Sequence, residues 1–351
     1  MKTRKTVLVY SVFLALLFLL PVFAFPQAPV YQGKTITIIQ GRSPGGTGDM
    51  YVRSIMPFLQ KYIPGNPAIV TEYMEGGGSR RAANHIFAVA HPDGLTIGNV
   101  SAGMVSLAIL GETGIKYDLH KFVYLGSTYS TVHPIFVTRK EAGLDSLEKL
   151  RAASGVRIGD QSVGFATYNE GRLFAYLLGL KEPRFVVGYS GREVDLALIR
   201  GEVDARTNLA ATLLNRNPEW IDQGLVNVHA IIEVPKGEKH PRFAHLPELE
   251  TFARSETERK LIALLRIFRL VGAPFILPPD TPKDRVEILR EAMRKTFKDP
   301  EFPSQYKKLI GDEPSPLMPE AQDEAIKKIP REPEIIELLK KIVGAGPLPP
   351  R

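Results

Sequence analysis

Residues 34–49 read KTITIIQGRSPGGTGD, a β-branched run followed directly by a glycine-rich loop. The alternating threonines and isoleucines of residues 34–40 are typical of a strand, and the loop of residues 41–49 ends where a helical pattern starts. Apolar side chains carry that pattern at helical spacing, and they are Tyr51, Ile55, Phe58, Leu59 and Tyr62. Pro57 lies inside the pattern and should kink or shorten the helix. The stretch therefore predicts a strand, a loop and a helix, in that order.

The same order of strand, small-residue loop and helix recurs along the chain. In the first half, residues 68–73 and 95–100 read as strands, and Gly76–Ser79 opens a helix over residues 80–90. In the second half, strand-like runs lie at residues 156–159, 184–187, 203–207 and 226–233. This alternation predicts an α/β fold in which parallel sheets are flanked by helices.

The length of 351 residues corresponds to about two domains. We expect two α/β halves, with the second inserted into the first. The predicted boundaries are 25–130 together with 245–351 for domain 1, and 131–244 for domain 2. Residues 344–351, GAGPLPPR, are rich in glycine and proline and are predicted to be disordered.

The N-terminus has the three-part layout of a secretory signal peptide. A short basic region with Lys2, Arg4 and Lys5 precedes a run of apolar residues over 7–20, and a small-residue segment ends at Ala24. We therefore predict a signal peptide over residues 1–24, a mature N-terminus near Phe25 and a periplasmic location. An uncleaved N-terminal anchor is the alternative, although the run is short for a bilayer span of about 20 residues.

Composition and motifs argue against several classes of function. The chain has no cysteine, which removes disulfides, thiolate metal sites and cysteine nucleophiles. The histidines form no tight metal-binding pair, so we expect no metal and no cofactor. Removing residues 1–24 lowers the net charge from +7 to +4, and without a long basic run we expect no nucleic-acid partner. Thr47 stands where a phosphate-binding loop requires lysine, and Asp160 stands where a hydrolase nucleophile elbow requires glycine.

Four glycine- or serine-rich segments each follow a predicted strand, at residues 44–49, 99–103, 161–167 and 189–191. The N-terminus of a helix presents free N–H groups and a partial positive charge, so such loops can hold a carboxylate. Glycines that only permit tight turns are the alternative. Charge-assisted hydrogen bonds contribute about 1.5–3 kcal/mol each, and micromolar binding corresponds to about 8 kcal/mol. Four to six such bonds would suffice, so the site requires no buried arginine.

The order of these segments resembles the Bug family, the substrate-binding proteins of tripartite tricarboxylate transporters. The first loop of the family, P-x-G-G-x-x-D, is similar to residues 44–49, and its P-D-G-Y-T-L motif is similar to residues 92–97. Its V-E-N-x-x-G-A-G-G segment is echoed by residues 70–78, its Y-G-S-S-G loop by 158–165 and its Y-K-G motif by 189–204. The resemblance covers residues 34 to 300, about three quarters of the chain.

The resemblance implies a two-domain type II periplasmic binding protein fold with a ligand cleft between the domains. It also implies a non-enzymatic, monomeric protein that captures a small organic acid, a carboxylate, and delivers it to membrane transporter subunits. From the four loops and the resemblance together, the predicted substrate-binding residues are Gly45, Gly46, Thr47, Asp49, Ser101, Gln161, Ser162, Gly164, Tyr189, Ser190 and Gly191. Phe165, where the family commonly has serine, is expected either to narrow the pocket or to favour an aromatic or apolar part of the ligand. Asp160 is expected to point away from a bound carboxylate.

Two other functions fit the same sequence. One is a secreted serine hydrolase that uses Ser162 or Ser190, which turnover of model esters would reveal. The other is a ligand-sensing binding protein that serves a receptor instead of a permease.

Overall fold

The computed structural model describes residues 28–351, so the predicted signal peptide and the mature N-terminus near Phe25 lie outside the described residues. Two five-stranded sheets organise this part of the chain. Strands of the first sheet are β1 (Thr35–Gln40), β2 (Ala68–Tyr73), β3 (Thr96–Asn99), β4 (Val123–Gly126) and β10 (Phe275–Leu277). Strands of the second are β5 (Pro134–Arg139), β6 (Arg157–Asp160), β7 (Arg184–Val187), β8 (Ala205–Leu209) and β9 (Val226–Ile231).

Both sheets have the same pattern of parallel and antiparallel pairing. The first sheet has the order β2-β1-β3-β10-β4, with β1 parallel to β2 and β3, and β10 antiparallel to β3 and β4. The second has the order β7-β6-β8-β5-β9, with β6 parallel to β7 and β8, and β5 antiparallel to β8 and β9. In each sheet the loops after the parallel strands gather at one edge, where α/β proteins place their ligand sites.

Helices cover the faces of the sheets and connect their strands. They are α1 (Thr47–Tyr62), α2 (Arg80–Ala88), α3 (Gly103–Ile109), α4 (Leu147–Ala152), α5 (Ala166–Leu178), α6 (Glu193–Ile199), α7 (Ala210–Arg216), α8 (Pro218–Asp222), α9 (Glu256–Leu270), α10 (Lys283–Lys298), α11 (Phe302–Ile310), α12 (Pro319–Lys327) and α13 (Pro333–Val343). None of the helices among residues 28–351 has the length and apolar character needed to cross a bilayer.

The first predicted unit, β1 followed by α1, forms as the sequence pattern indicates. Ile36 and Ile38 of β1 are fully buried, and so are Val52 and Ile55 of α1. A kink or a shortened helix was predicted at Pro57, but the helix continues through it to Tyr62. Pro57 lies on the exposed face of α1, so water can bond the carbonyl group that lacks its helical partner.

The chain leaves the first sheet after β4, builds the whole second sheet and then returns to the first sheet with β10. We call each sheet with the helices packed on it a lobe, so the second lobe is an insertion in the first. The exact domain boundaries given above stay a prediction. The C-terminal helix α13 packs against α5 of the second lobe, and all thirteen residues of α5 are buried.

The prediction that residues 344–351 are disordered is wrong. Arg172 of α5 donates a hydrogen bond of 2.7 Å from Nη2 to the carbonyl oxygen of Gly346. The Arg351 guanidinium forms an ion pair of 2.7 Å with Glu258 of α9 and also bonds the carbonyl oxygen of Leu177. These cation contacts fix a segment whose glycine and proline content alone suggested disorder.

Candidate functional site

A cavity lies in the cleft between the two lobes, at the edge where the strand-to-helix loops gather. Its volume is about 80 Å³, and one water molecule occupies about 10–15 Å³ on this measure. The cavity therefore has room for a molecule of roughly five to eight water-sized groups. Its lining consists of Arg42, Ser43, Gly46, Thr47, Gly48, Tyr51, Ser101, Tyr129, Gln161, Phe165, Thr167, Gly191, Arg206, Asn208, Leu209, Thr212, Arg216 and Arg269.

The loop after β1 is organised by a carboxylate that lies underneath it. Asp49 is fully buried and accepts hydrogen bonds from Gln40 Nε2 at 2.8 Å and from the Gly45 N–H at 2.9 Å. It also accepts bonds from Arg53 Nε at 2.8 Å and from the Tyr73 hydroxyl at 2.9 Å. Burial alone would raise the pKa of Asp49, but these four donors hold it below its usual value. Asp49 thus shapes the loop and does not line the cavity.

The N-terminus of α1 opens into the cavity without a side-chain cap. Its N-cap residue is Gly46, and no side chain bonds the first-turn N–H groups. Thr47 and Gly48 of this turn line the cavity. Such a turn carries a partial positive charge and favours an anion.

Arg42 lies across this first turn, where only glycine leaves room for it. A Cβ atom at Gly48 would lie 1.9 Å from Arg42 Cδ and 2.2 Å from Arg42 Nη1. Arg42 is 8% exposed, and among residues 28–351 its Nε and Nη2 atoms have no hydrogen-bond partner. Burial lowers the pKa of Arg42 because a cation is removed from water. A guanidinium and a helix N-terminus repel each other unless an anion lies between them.

A second arginine reaches the cavity from the other lobe. Arg216, at the end of α7, has a side chain that is 11% exposed, and its Nε and Nη2 atoms lack a partner within the described residues. Its Nη1 atom lies 3.9 Å from Asp195 Oδ2. Burial lowers the pKa of Arg216, although Asp195 opposes this effect. That carboxylate is already engaged by Arg206, which contacts it directly.

The other two arginines of the lining are neutralised by buried carboxylates. Arg206 on β8 pairs with Asp195 of α6. Arg269 of α9 pairs with Glu170 of α5 through two hydrogen bonds, one of them 3.0 Å from Nη2 to Oε2. Burial opposes the charge of Arg269, but Glu170 more than offsets it and raises the pKa of the guanidinium. Within the described residues, Arg42 and Arg216 are therefore the two cations of the lining without a carboxylate of their own.

Aromatic side chains form the apolar part of the wall. Tyr51 and Tyr129 have ring centroids 4.6 Å apart and are tilted by 43°. Both are buried, at 5% and 4% exposure. Phe165 also lines the cavity.

A second, more open cavity of about 280 Å³ adjoins the first and shares Arg42, Ser43, Gln161 and Phe165 with it. Ser162, Tyr189 and Ser190 line this outer cavity. Ser162 Oγ accepts a bond of 3.2 Å from the Gly78 N–H. Ser190 Oγ accepts a bond from the Glu193 N–H, and the Glu193 carboxylate accepts one from the Ser190 N–H. This reciprocal pair caps the start of α6.

The predicted substrate-binding residues divide into three groups in the structure. Gly46, Thr47, Ser101, Gln161 and Gly191 line the inner cavity. Ser162, Tyr189 and Ser190 line only the outer one. Gly45, Asp49 and Gly164 line neither, because they shape the first loop or lie in the contact between the lobes.

Gly164 lies where the lobes touch. A Cβ atom at Gly78 would lie 2.6 Å from the Gly164 carbonyl oxygen, and one at Gly103 would lie 2.3 Å from it. Thr47 Oγ1 of the first lobe lies 3.2 Å from Thr212 Oγ1 of the second. Arg192 Nε donates a bond of 3.2 Å to the carbonyl oxygen of Gly45. The two lobes are thus in direct contact around the cavity.

Asp160 does not line the inner cavity itself but bonds Thr167, which does. It is 4% exposed and accepts bonds of 2.7 Å from the Gln161 N–H and 2.9 Å from Thr167 Oγ1. Burial raises the pKa of Asp160 to about 7.

Sequence reasoning missed the arginines, and the expectation that no buried arginine is needed does not describe this cleft. One signal was available: an arginine at position 206 in the middle of a buried strand requires a partner or a ligand. Arg42 follows β1 inside the glycine-rich loop, which is a second such signal.

Among residues 28–351, neither Ser162 nor Ser190 has a histidine as hydrogen-bond partner. The described part of the chain also has no group of three His, Asp or Glu side chains that could hold a metal ion. Nothing in the described geometry favours the hydrolase alternative.

No protein-family model matches the chain, and no curated protein matches its sequence. Solved structures do share its fold. The periplasmic binding protein BugD is similar with a TM-score of 0.66 at 20% identity, over 89% of this chain and 98% of that one. MatC from Rhodopseudomonas palustris with bound malate is similar with a TM-score of 0.65 at 20% identity, over 91% and 100%. An R. palustris protein with adipate is similar with a TM-score of 0.66 at 16% identity, over 89% and 97%. The predicted α/β periplasmic binding protein fold is confirmed.

Proposed function

We propose that this chain is an exported solute-binding protein of the Bug type. In this proposal it captures a small organic acid between its two lobes and delivers the acid to a tripartite tricarboxylate-type membrane transporter. It performs no catalysis, needs no cofactor and acts as a monomer.

One observation carries the proposal: within residues 28–351, every buried side-chain atom of the inner lining that lacks a hydrogen-bond partner is a donor. These atoms are Nε and Nη2 of Arg42, Nε and Nη2 of Arg216, and Nδ2 of Asn208. The Asn208 amide is oriented by its own oxygen, which accepts a bond of 2.9 Å from the Leu209 N–H. Buried donors are almost always satisfied in folded proteins, so these atoms favour a ligand that is rich in hydrogen-bond acceptors. A carboxylate meets this requirement.

The shared fold supports the same function. Structures similar to this one were determined with malate and with adipate, two organic acids. Their identity to this chain is 20% or less, so the fold is what they share with it. The small cavity and the contact between the lobes agree with capture by closure of the cleft.

Export is the second part of the proposal. It is supported by the basic and apolar segments before Ala24. Sequencing the N-terminus of protein taken from its native compartment should find a start at or near Phe25. An intact Met1 would contradict export by this route.

Ligand-dependent thermal stability tests the binding function. Protein starting at Phe25 is melted alone and with mono-, di- and tricarboxylates, with a neutral sugar and an organic amine as controls. A ligand at a hundred times its dissociation constant stabilises the folded state by about 2.7 kcal/mol, which corresponds to several degrees. We expect at least one acid, and neither control, to raise the melting temperature. No shift with any acid, or a shift with the amine, would contradict the proposal.

A further inference from the structure

We propose that Arg42 and Arg216 are the specificity-determining residues of the cleft and that they select ligands with two negative charges. This inference rests on the proposed function. It adds the number of negative charges on the ligand and the residues that recognise those charges. Each lobe supplies one of the two guanidinium groups, Arg42 from the loop after β1 and Arg216 from the end of α7.

Arg42 lies next to a second positive group, so a bound anion would offset the charge of both. It is more than nine-tenths buried, two of its nitrogens have no partner in the part of the chain that the structure describes, and it faces the uncapped first turn of α1. Two positive groups are thus held next to each other in a site with little water. Gly48 lacks the side chain that would displace the guanidinium, so the close approach is built into the sequence.

Arg216 is in a similar position on the opposite wall. The nearest carboxylate, Asp195, is 3.9 Å from its Nη1 atom and is in direct contact with Arg206 instead. Its Nε and Nη2 atoms have no partner among the described residues. Gly191 lies next to Arg216 and has no side chain. A Cβ atom at Gly191 would lie 3.9 Å from Arg216 Nη1.

The charges of the lining indicate how many negative charges the ligand carries. Four guanidinium groups line the inner cavity, and the carboxylates paired with them are Asp195 and Glu170. Two positive charges are left over. Asp49 cannot neutralise them because it is engaged by Arg53, Gly45, Gln40 and Tyr73. A singly charged acid would leave one buried guanidinium uncompensated, whereas a dianion satisfies both.

Two kinds of dianion share this chemistry, a short dicarboxylate and a phosphate or sulfate group. Both can accept two charge-assisted hydrogen bonds from each guanidinium. A dicarboxylate can place one carboxylate at each arginine, and a tetrahedral oxyanion would have to lie between both. The cavity of about 80 Å³ limits either to a compact molecule.

The decisive experiment compares ligands that differ in charge but hardly in size. Isothermal titration is carried out with straight-chain dicarboxylates from malonate to adipate, with the monoamide of each, and with inorganic phosphate and sulfate. We expect a dicarboxylate to bind at least about tenfold more tightly than its monoamide, since one charged contact is lost. Binding of phosphate but of no dicarboxylate would also support selection of dianions, and it would identify the ligand as a tetrahedral oxyanion.

Variants then assign the selectivity to the two arginines. Arg42→Gln and Arg216→Gln should each weaken dianion binding by at least about tenfold and reduce the preference over the monoamide. Arg42→Lys and Arg216→Lys keep the charge and should restore part of the preference. Arg200→Gln removes an exposed positive charge from the second lobe and should change neither. Melting temperatures identify any variant that does not fold.

Failure of this inference is distinguishable from failure of the proposed function. Equal affinity of the wild-type protein for a dicarboxylate and its monoamide would overturn the dianion selectivity while leaving the organic-acid function intact. Folded glutamine variants that keep the wild-type preference would overturn the assignment to Arg42 and Arg216. No binding of any acid in the panel would overturn both.

Discussion

Thr47 Oγ1 at the start of α1 lies 3.2 Å from Thr212 Oγ1 in α7, so a hydroxyl pair joins the two lobes across the cavity. Each threonine also lines that cavity. The pair therefore links closure of the cleft to the place where a ligand would be enclosed.

Removing this hydroxyl pair should weaken ligand binding with little effect on the fold. A neutral hydrogen bond contributes about 0.5–1.5 kcal/mol, so Thr47→Val or Thr212→Val should raise the dissociation constant for the organic acid by roughly 2- to 12-fold. The double variant should lose little more than the worse single variant, because both remove the same contact. Isothermal titration measures this, with the exposed Thr113→Val as control. Fully additive losses would show that the two hydroxyls do not act as a pair.

Closure itself should be blocked at Gly103. A Cβ atom there would lie 2.3 Å from the carbonyl oxygen of Gly164 in the opposite lobe. Gly103→Ala introduces a side chain compatible with the helix α3 but not with this contact, so the lobes should stay apart. We expect a folded protein with at least about tenfold weaker acid binding. Gly346→Ala is the control because a Cβ atom there meets nothing within 4 Å. Normal affinity in Gly103→Ala would show that this contact is not required.

Gly191 is the position where bulk can be added to the cavity without straining the backbone. A Cβ atom would lie 3.9 Å from Arg216 Nη1 and 3.9 Å from Gln161 Oε1, which is ordinary contact. Gly191→Val should therefore fold, with a melting temperature within a few degrees of the wild type, and lose most of its acid binding. Binding is measured by titration and folding by circular dichroism. A folded variant with normal affinity would place the ligand away from Gly191.

Asp160 should make the stability of the protein depend on pH. Burial raises the pKa of Asp160 to about 7, whereas an unfolded aspartate titrates near pH 3.9. Between these values the folded state holds a proton that the unfolded state has lost, so the free energy of unfolding falls as pH rises from about 4 to about 7 and is level above that.

Asp160→Asn imitates the protonated carboxyl and should remove this decline. The free energy of unfolding of the variant relative to wild type should grow from pH 4.5 to pH 7, by an amount on the order of 2–4 kcal/mol. Urea titrations at several pH values measure it. Asp145→Asn, at a side chain that is 55% exposed, is the control and should run parallel to the wild type. A parallel curve for Asp160→Asn would contradict the raised pKa.

The sequence predicted the strand-loop-helix units because their signals are local. The β-branched run of β1, the glycines after it and the apolar spacing of α1 all lie within about thirty residues and agree with one another. Gly46, Thr47 and Gly191 were named for the same reason, since each follows a strand and precedes a helix. These features place the cavity at the correct edge of the sheets.

The arginines of the cleft could not be predicted in this way. Arg42, Arg216 and Arg269 meet in one cavity only because two sheets and a late helix come together, and hydrophobic periodicity treats an arginine as a surface residue. The carboxylates that decide their charge, Asp195 and Glu170, are likewise distant in sequence from the loops. The order of residues 344–351 could not be predicted either, because amino-acid composition does not show which residues Arg351 binds.

Small-angle X-ray scattering of the wild-type protein, without and with a saturating organic acid, tests capture by closure most directly. We expect the radius of gyration to fall when the acid is bound, as the lobes meet at Gly103 and Gly164 and at Thr47 and Thr212. The decrease should persist in Gly346→Ala and be absent in Gly103→Ala. An acid that binds at one site per chain, as titration would show, and leaves the radius of gyration unchanged would rule out capture by closure.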